Sequence, residues 1–270
     1  MAIPLNDVTD EKVTYFAHSI TERIKSDEAC FVQGLVRLND TSIIQCCGLY
    51  GKSRIQSLNV QTGTVTLLFT FGNDIFIEGC AKVSASTLIA LTWKERKLFV
   101  FDLPSTSLVK TVYYPYDGWG LASDGVSTFW ATNGSSSLIT ISKEYTITST
   151  CQVTRNDKPV KYLNALSYAK GQIYANIYMN VNPPDYPFYI IRIDPSTCKV
   201  NAIIPLFALY KPQSAGSVMN GIIAEEDTLI VTGKQWPELF RIHLTPTSAI
   251  HDTWKREPLD KFSGGPDPLR

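Results

Sequence analysis

Five short segments of this chain share one pattern: Phe31-Val32-Gln33-Gly34-Leu35, Phe76-Ile77-Glu78-Gly79-Cys80, Asp117-Gly118-Trp119-Gly120-Leu121, Tyr162-Leu163-Asn164-Ala165-Leu166 and Val218-Met219-Asn220-Gly221-Ile222. The fourth residue is small in every copy. Successive copies, at Gly34, Gly79, Gly120, Ala165 and Gly221, lie 45, 41, 45 and 56 residues apart. A repeat of roughly 40–50 residues made of short strands is the signature of β-propeller blades. Innermost strands crowd toward the central axis and leave no room for bulk, which explains the small residue. The residue before it is Gln33, Glu78, Trp119, Asn164 or Asn220. Five equivalent positions with different side chains predict one ring around a pore mouth.

The strand signals agree with an all-β, five-bladed β-propeller. One blade reads as 77–83, Leu88–Trp93, Leu98–Asp102 and Ser107–Tyr114, with the polar Lys94-Glu95-Arg96-Lys97 as a hairpin turn. The next reads as 119–123, 127–132, 137–142 and 146–152. Other repeats run over 31–70 and 163–204, and the last starts at 219 and includes Thr228–Thr232 and Leu239–Leu244. An open ring would expose strand edges. Residues 13–20 are therefore expected to form the outermost strand of the last blade and close the ring, a short helix over 20–24 being the alternative. Residues 1–270 form a single domain in this reading, with the propeller over about 12–258 and a tail over 259–270. The Asn- and Pro-rich stretch 180–187 reads as a long loop near one pore face.

Charge excludes some partners. The chain has 25 basic and 25 acidic side chains and no basic block, so nucleic acid is not expected. Apolar runs such as Thr64–Phe71 and Leu98–Leu103 are far shorter than a membrane span. The start, Met1–Asp7, shows no basic region followed by an apolar core. Asn39-Asp40-Thr41 and Asn133-Gly134-Ser135 match glycosylation acceptors and favour the secretory pathway or the extracellular space. The six cysteines form no CxxC pair, allow fifteen full pairings, and read as buried thiols packed like small apolar side chains.

The common catalytic devices are missing. Gly51-Lys52-Ser53 resembles the end of a phosphate loop, but Cys46 stands where that loop needs glycine, so it reads as a blade turn. The three histidines make neither HExxH nor Cys-His zinc spacing, and no Gly-x-Ser-x-Gly elbow occurs. The ring remains. Glu78 lies among Phe76, Ile77, Gly79 and Cys80, where lost hydration would raise its pKa and suit it to proton transfer. Gln33, Asn164 and Asn220 either orient an amide substrate or bridge blades, and Asn220 reads as the structural one. Trp93 and Trp119 could wall a pocket. Lys234 ends a strand of the last repeat.

At these residues the chain resembles the plant-type glutaminyl-peptide cyclotransferase family, a five-bladed β-propeller group. The matching stretches run from about residue 12 to about residue 243. They include Phe31–Leu35, Gly48-Leu49-Tyr50-Gly51-Lys52-Ser53, Phe76–Gly79, Leu91–Lys94, Asp117–Leu121, Ser123-Asp124-Gly125, Leu163-Asn164, Tyr174–Tyr178, Ile193-Asp194-Pro195, Asn220-Gly221-Ile222 and Val231–Pro237. The resemblance implies a monomeric, metal-independent enzyme without cofactors that converts the N-terminal glutamine of peptides or proteins to pyroglutamate. It implies Glu78 as acid/base with Lys234 beside it, and Phe31, Gln33, Phe76, Trp93, Trp119, Asn164 and Tyr178 around the substrate. Four features depart from the family: Tyr178 stands for a Trp, Asp117 for a Glu, Ile77 for a Gly, and Ala165 and Ser167 replace two carboxylates. Two other readings stay open. One is an inactive propeller that binds peptides or proteins as a scaffold. The other is a calcium-dependent hydrolase using Glu78, Asn164 and Asn220 as oxygen ligands.

Overall fold

Short polar turns cut the chain into strands. At Asp124-Gly125 the carboxylate accepts the N–H groups of Val126, Ser127 and Thr128 at 2.8, 2.9 and 3.0 Å, while Gly125 takes a left-handed φ of 75°. Burial opposes ionisation there, but those bonds hold the Asp124 carboxyl below its ordinary pKa. Asn59 caps its turn in the same way, accepting from the N–H groups of Gln61 and Thr62. The computed structural model describes residues 13–178, 188–206, 209–210 and 216–248. The expected loop at 180–187 and tail at 259–270 lie outside those residues.

The described residues form strands and no helix. β1 (Thr14–Lys25) comes first. β2 (Val32–Asn39), β3 (Ser42–Cys47), β4 (Arg54–Asn59) and β5 (Val65–Thr70) make one antiparallel sheet. β6 (Ile77–Lys82), β7 (Thr87–Thr92), β8 (Lys97–Asp102) and β9 (Ser107–Tyr113) make the next. β10 (Leu121–Ser123), β11 (Thr128–Ala131), β12 (Ser137–Ser142) and β13 (Ile147–Gln152) make a third. β14 (Thr154–Arg155) and β15 (Lys158–Pro159) form a small side ladder. β16 (Leu163–Ala169), β17 (Gln172–Ile177), β18 (Phe188–Asp194) and β19 (Lys199–Leu206) follow. β20 (Met219–Glu225), β21 (Thr228–Gly233) and β22 (Glu238–Thr247) complete the order. The arrangement is all-β and propeller-like, with repeated antiparallel meanders.

β1 continues well past residue 20, the expected end of its strand. It pairs antiparallel with β22 from Tyr15↔Thr247 to Lys25↔Glu238 across a bulge between Ile20 and Glu22. Its first residues also pair parallel with β19. The first strand of each meander touches its counterparts: β2 meets β6, β6 meets β10, β10 meets β16, β16 meets β20, and β20 meets β2. Apolar clusters lie between meanders. One joins Ile89, Leu91 and Val100 to Phe129, Ile139 and Ile141.

Inner strands approach closely because glycine stands at the contact. The N–H of Gly79 donates to the Trp119 carbonyl at 2.7 Å, and a Cβ on Gly79 would lie 2.5 Å from that oxygen. A Cβ on Gly120 would collide with the Asn164 carbonyl oxygen. Register shifts fall at the recurring motif in four strands, between Val32 and Gly34, Ile77 and Cys80, Leu163 and Leu166, and Met219 and Ile222. A bulge re-aims a side chain. In the remaining repeat the expected strand over 119–123 is shorter: β10 starts at Leu121, and residues 118–120 bond irregularly to the end of β7 and to the residue that follows β11. Gly118 donates to the Thr92 carbonyl at 3.0 Å, Trp119 to the Thr132 carbonyl at 3.1 Å, and Gly120 to Thr132 Oγ1 at 2.8 Å.

The reading of the cysteines as free thiols is corrected. Cys30 pairs with Cys47, Cys46 with Cys80, and Cys151 with Cys198. The last two link neighbouring meanders, β3 to β6 and β13 to the turn before β19. Sequence spacing could not reveal pairs that form only after meanders pack side by side. Thiol titration of the unreduced, denatured protein is expected to find no free thiol, and six after reduction. Gly120→Ala is expected to lower stability by about 1–3 kcal/mol, because its Cβ meets backbone that cannot step aside. An unchanged denaturant midpoint would contradict this packing.

Candidate active site

The bulge in β6 brings Glu78 to the ring. Its side chain is 6% exposed, and Gln33 Nε2 donates to its Oε1 at 2.9 Å. Gln33 sits at the matching bulge in β2. Its Oε1 accepts in turn from Asn220 Nδ2, at the bulge in β20. Three of the four polar ring positions therefore form one hydrogen-bonded chain from the last repeat through the first to the second. Asn220 bridges repeats, the structural role expected of it. Because Asn220 uses the Gln33 oxygen, the Gln33 amide is oriented with its N–H toward the carboxylate.

Aromatic side chains wall this chain of polar groups. Phe31, Phe76 and Trp93 form one buried cluster with Leu49 and Trp119 packed against it. Phe31 meets Phe76 edge-on at 6.3 Å between centroids, and Phe76 meets Trp93 at 5.4 Å. Trp119 meets Tyr178 edge-on at 5.5 Å. Lys234, 6% exposed, places Nζ 4.7 Å from the Phe31 centroid and 5.1 Å from that of Tyr178. A buried ammonium between two ring faces gains cation–π attraction. The Lys234 backbone is fixed by its N–H to the Val218 carbonyl and by Ser217 Oγ donating to its carbonyl. Asn164 is buried at the β16 bulge, and its carbonyl accepts from Thr132 Oγ1 at 2.8 Å. All nine residues singled out from the sequence lie on this ring or its aromatic wall.

Two further side chains belong to the same wall. The Tyr50 ring lies 5.4 Å from Phe76 and 6.4 Å from Trp93. Its hydroxyl donates to Glu95 Oε1 at 2.8 Å, and the Phe76 N–H donates to Glu95 Oε2 at 3.3 Å. Burial, that hydrogen bond, and the carboxylates of Glu95, Glu78 and Asp117 push the phenol well above its ordinary pKa. The sequence offered a blade turn at Gly51-Lys52-Ser53, inside a stretch that resembles the family, and a hairpin turn at Lys94–Lys97; it did not show that the two meet. Lys94 pairs with Asp117 and lies 4.8 Å over the Trp93 ring. Among the described residues no three His, Cys, Asp or Glu side chains converge as metal ligands.

A family model described as glutamine cyclotransferase matches residues 2–244. The chain belongs to the glutamine cyclotransferase family. The glutaminyl-peptide cyclotransferase of Arabidopsis thaliana is a 33% identical relative over 232 residues, covering 83% of this chain and 70% of that protein. The crystal structure of Myxococcus xanthus glutaminyl cyclase superposes with a TM-score of 0.75 at 25% identity, covering 87% of this chain and all of that one. A chain of a nidogen/laminin complex matches at a TM-score of 0.50 and 12% identity, over 76% of this chain and 73% of that one, and is alike in fold alone. For this glutamine cyclotransferase family member, the ring just described is the candidate active site.

A polar network supports its entrance. Asp27 opens the turn before Cys30 and Phe31 and accepts from Gln56 Nε2 at 3.0 Å, the Ala29 N–H at 3.0 Å and Arg54 Nη2 at 2.9 Å. Gln56 Nε2 also donates to Gln45 Oε1, and Gln45 to Ser26 Oγ. Burial pushes the Asp27 carboxyl up, but these donors and the Arg54 charge win and hold it below its ordinary value. A depressed carboxylate pKa stabilises the fold above the unfolded-state pKa, and the gain disappears as pH falls through the folded-state value. Asp27→Asn is therefore expected to cost about 1–2 kcal/mol at pH 7. The deficit should shrink as pH falls below about 4. Parallel denaturant titrations at pH 7 and pH 3 check this, and a deficit equal at both would exclude the ionised role.

Proposed function

We propose that this chain cyclises the N-terminal glutamine of peptides or proteins to pyroglutamate and releases ammonia. The observation that carries this reading is the buried Glu78 carboxylate, held by Gln33 and enclosed with Lys234 by aromatic rings. Membership of the glutamine cyclotransferase family supports it. The substrate α-amine attacks its own side-chain amide carbon, and the C–N bond to the amide nitrogen breaks. Glu78 takes a proton from the attacking amine and returns it to the departing nitrogen, which leaves as ammonia. Lys234 stabilises the negative oxygen of the tetrahedral intermediate. Phe31, Phe76, Trp93, Trp119 and Tyr178 fold the glutamine side chain back and exclude water. Gln33 fixes the Glu78 carboxylate, and Asn164 holds the peptide near its amine.

We also infer a single domain of five blades, with β1 as the outermost strand of the last one. The cyclic contacts of β2, β6, β10, β16 and β20 and the β1–β22 ladder support this. A monomer is part of the same proposal, and so is an oxidising, secretory or extracellular compartment, which three disulfides support. The departures at Ala165, Ser167 and Tyr178 are what favour the scaffold alternative. Ser167 Oγ accepts the Ala224 N–H at 2.9 Å, bracing β16 to β20, and Tyr178 keeps aromatic contact with Trp119 and Lys234. Both placements favour the catalytic reading.

Ammonia release from a Gln-initiated peptide tests the proposal. Glu78→Gln is expected to lower kcat by about 10²–10⁴-fold with KM little changed. Lys234→Met is expected to lower it by about 10²–10³-fold. Turnover near that of the parent protein in Glu78→Gln would remove Glu78 from the acid/base role. A folded parent protein that binds the peptide but frees no ammonia would favour the scaffold.

A further inference from the structure

Tyr50 combines features that an ordinary surface tyrosine lacks. It is 46% exposed, yet it is fixed at both ends. Its ring leans on buried Phe76 and Trp93, and its hydroxyl is latched to Glu95. Glu95 spends its other oxygen on the Phe76 N–H, two residues before Glu78. The backbone leading to Tyr50 is equally constrained. A Cβ on Gly48 would clash with the Phe76 ring, 2.8 Å from Cζ, and Leu49 holds a left-handed φ of 93° that non-glycine residues rarely adopt. Such strain aims the Tyr50 ring at one place. That place is the outward continuation of the aromatic wall around Glu78: a half-exposed ring face, immobilised before any substrate arrives.

A peptide whose glutamine occupies the Glu78 site has its next residue outside that site, and Tyr50 offers the half-exposed ring face of the wall there. We propose that Tyr50, latched by Glu95, is the surface on which the side chain of the residue following the N-terminal glutamine packs. This makes Tyr50 a specificity-determining residue, and it rests on the cyclotransferase reading above. A preorganised ring gains contact without losing side-chain freedom on binding. Aromatic or large aliphatic side chains at the second position gain from it; glycine gains nothing.

The test compares ammonia release from Gln-Phe-Ala and Gln-Gly-Ala by the parent protein, Tyr50→Ala and Tyr50→Phe. In the parent protein kcat/KM should favour the phenylalanine peptide by about three- to tenfold. Tyr50→Ala should bring that ratio close to one. Tyr50→Phe keeps the ring and should retain much of the preference; it also decides the case if the alanine variant does not fold, since Tyr50→Leu can then serve as the aromatic-free partner. An unchanged ratio in the variants lacking the ring, equal loss on both peptides, or no preference in the parent protein would overturn the proposal. A parent protein that releases ammonia from neither peptide would overturn the cyclotransferase reading itself, an outcome separate from a flat ratio in an active enzyme.

Discussion

Gly79 and Gly120 let one inner strand touch the next through backbone alone, with the Gly79 N–H on the Trp119 carbonyl and Gly120 against the Asn164 carbonyl. Everything at the site depends on that approach. Where backbones meet without side chains, the residue just before the contact has to point elsewhere, and at the bulges in β2, β6 and β20 the side chains of Gln33, Glu78 and Asn220 meet. The small residue and the polar one beside it are a single device. One brings the strands together, and the other occupies the space that results.

Polar order at the mouth is maintained from outside it. Cys46 and Cys47 are adjacent on β3 and so face opposite sides of the sheet. One reaches across to Cys80, two residues past Glu78, and the other holds Cys30, next to Phe31. The Asp27 network secures the same entry turn from the side, and Glu95 joins the Tyr50 turn to Phe76. Glu78, a carboxylate out of water, is thus served by a donor whose own orientation is fixed by Asn220. Buried polar chains of this kind are favourable when each member is satisfied.

The repeat was legible because five copies make its spacing visible, and Gly or Ala at the axis has a steric reason that any reader of the sequence can supply. The ring residues were legible for the same reason. Tyr50 and Glu95 were not. They stand at equivalent positions of two successive repeats, 45 residues apart, but their hydrogen bond forms only after neighbouring meanders pack. The cysteine pairs failed similarly, since Cys46–Cys80 and Cys151–Cys198 are contacts between meanders. Strand ends were displaced where tertiary hydrogen bonds outweighed local pattern. Trp119 and Gly120 both bond to Thr132, an irregular pairing that delays the start of β10 to Leu121, and β22 extends β1 to Lys25.

The ladder between β1 and β22 also has a cost in time. Tyr15 finds its partner at Thr247 and Lys25 at Glu238, so β1, the first described strand, must wait for β22, the last described one. At ribosomal speeds of about 5–20 residues per second, that wait is roughly 10–50 seconds. For most of it, until β19 is made, a twelve-residue strand has neither hydrogen-bonded neighbour in place. A nascent chain of this protein thus carries an unpaired strand through most of the synthesis of its sheets, and its yield depends on what shields that strand until β22 is made.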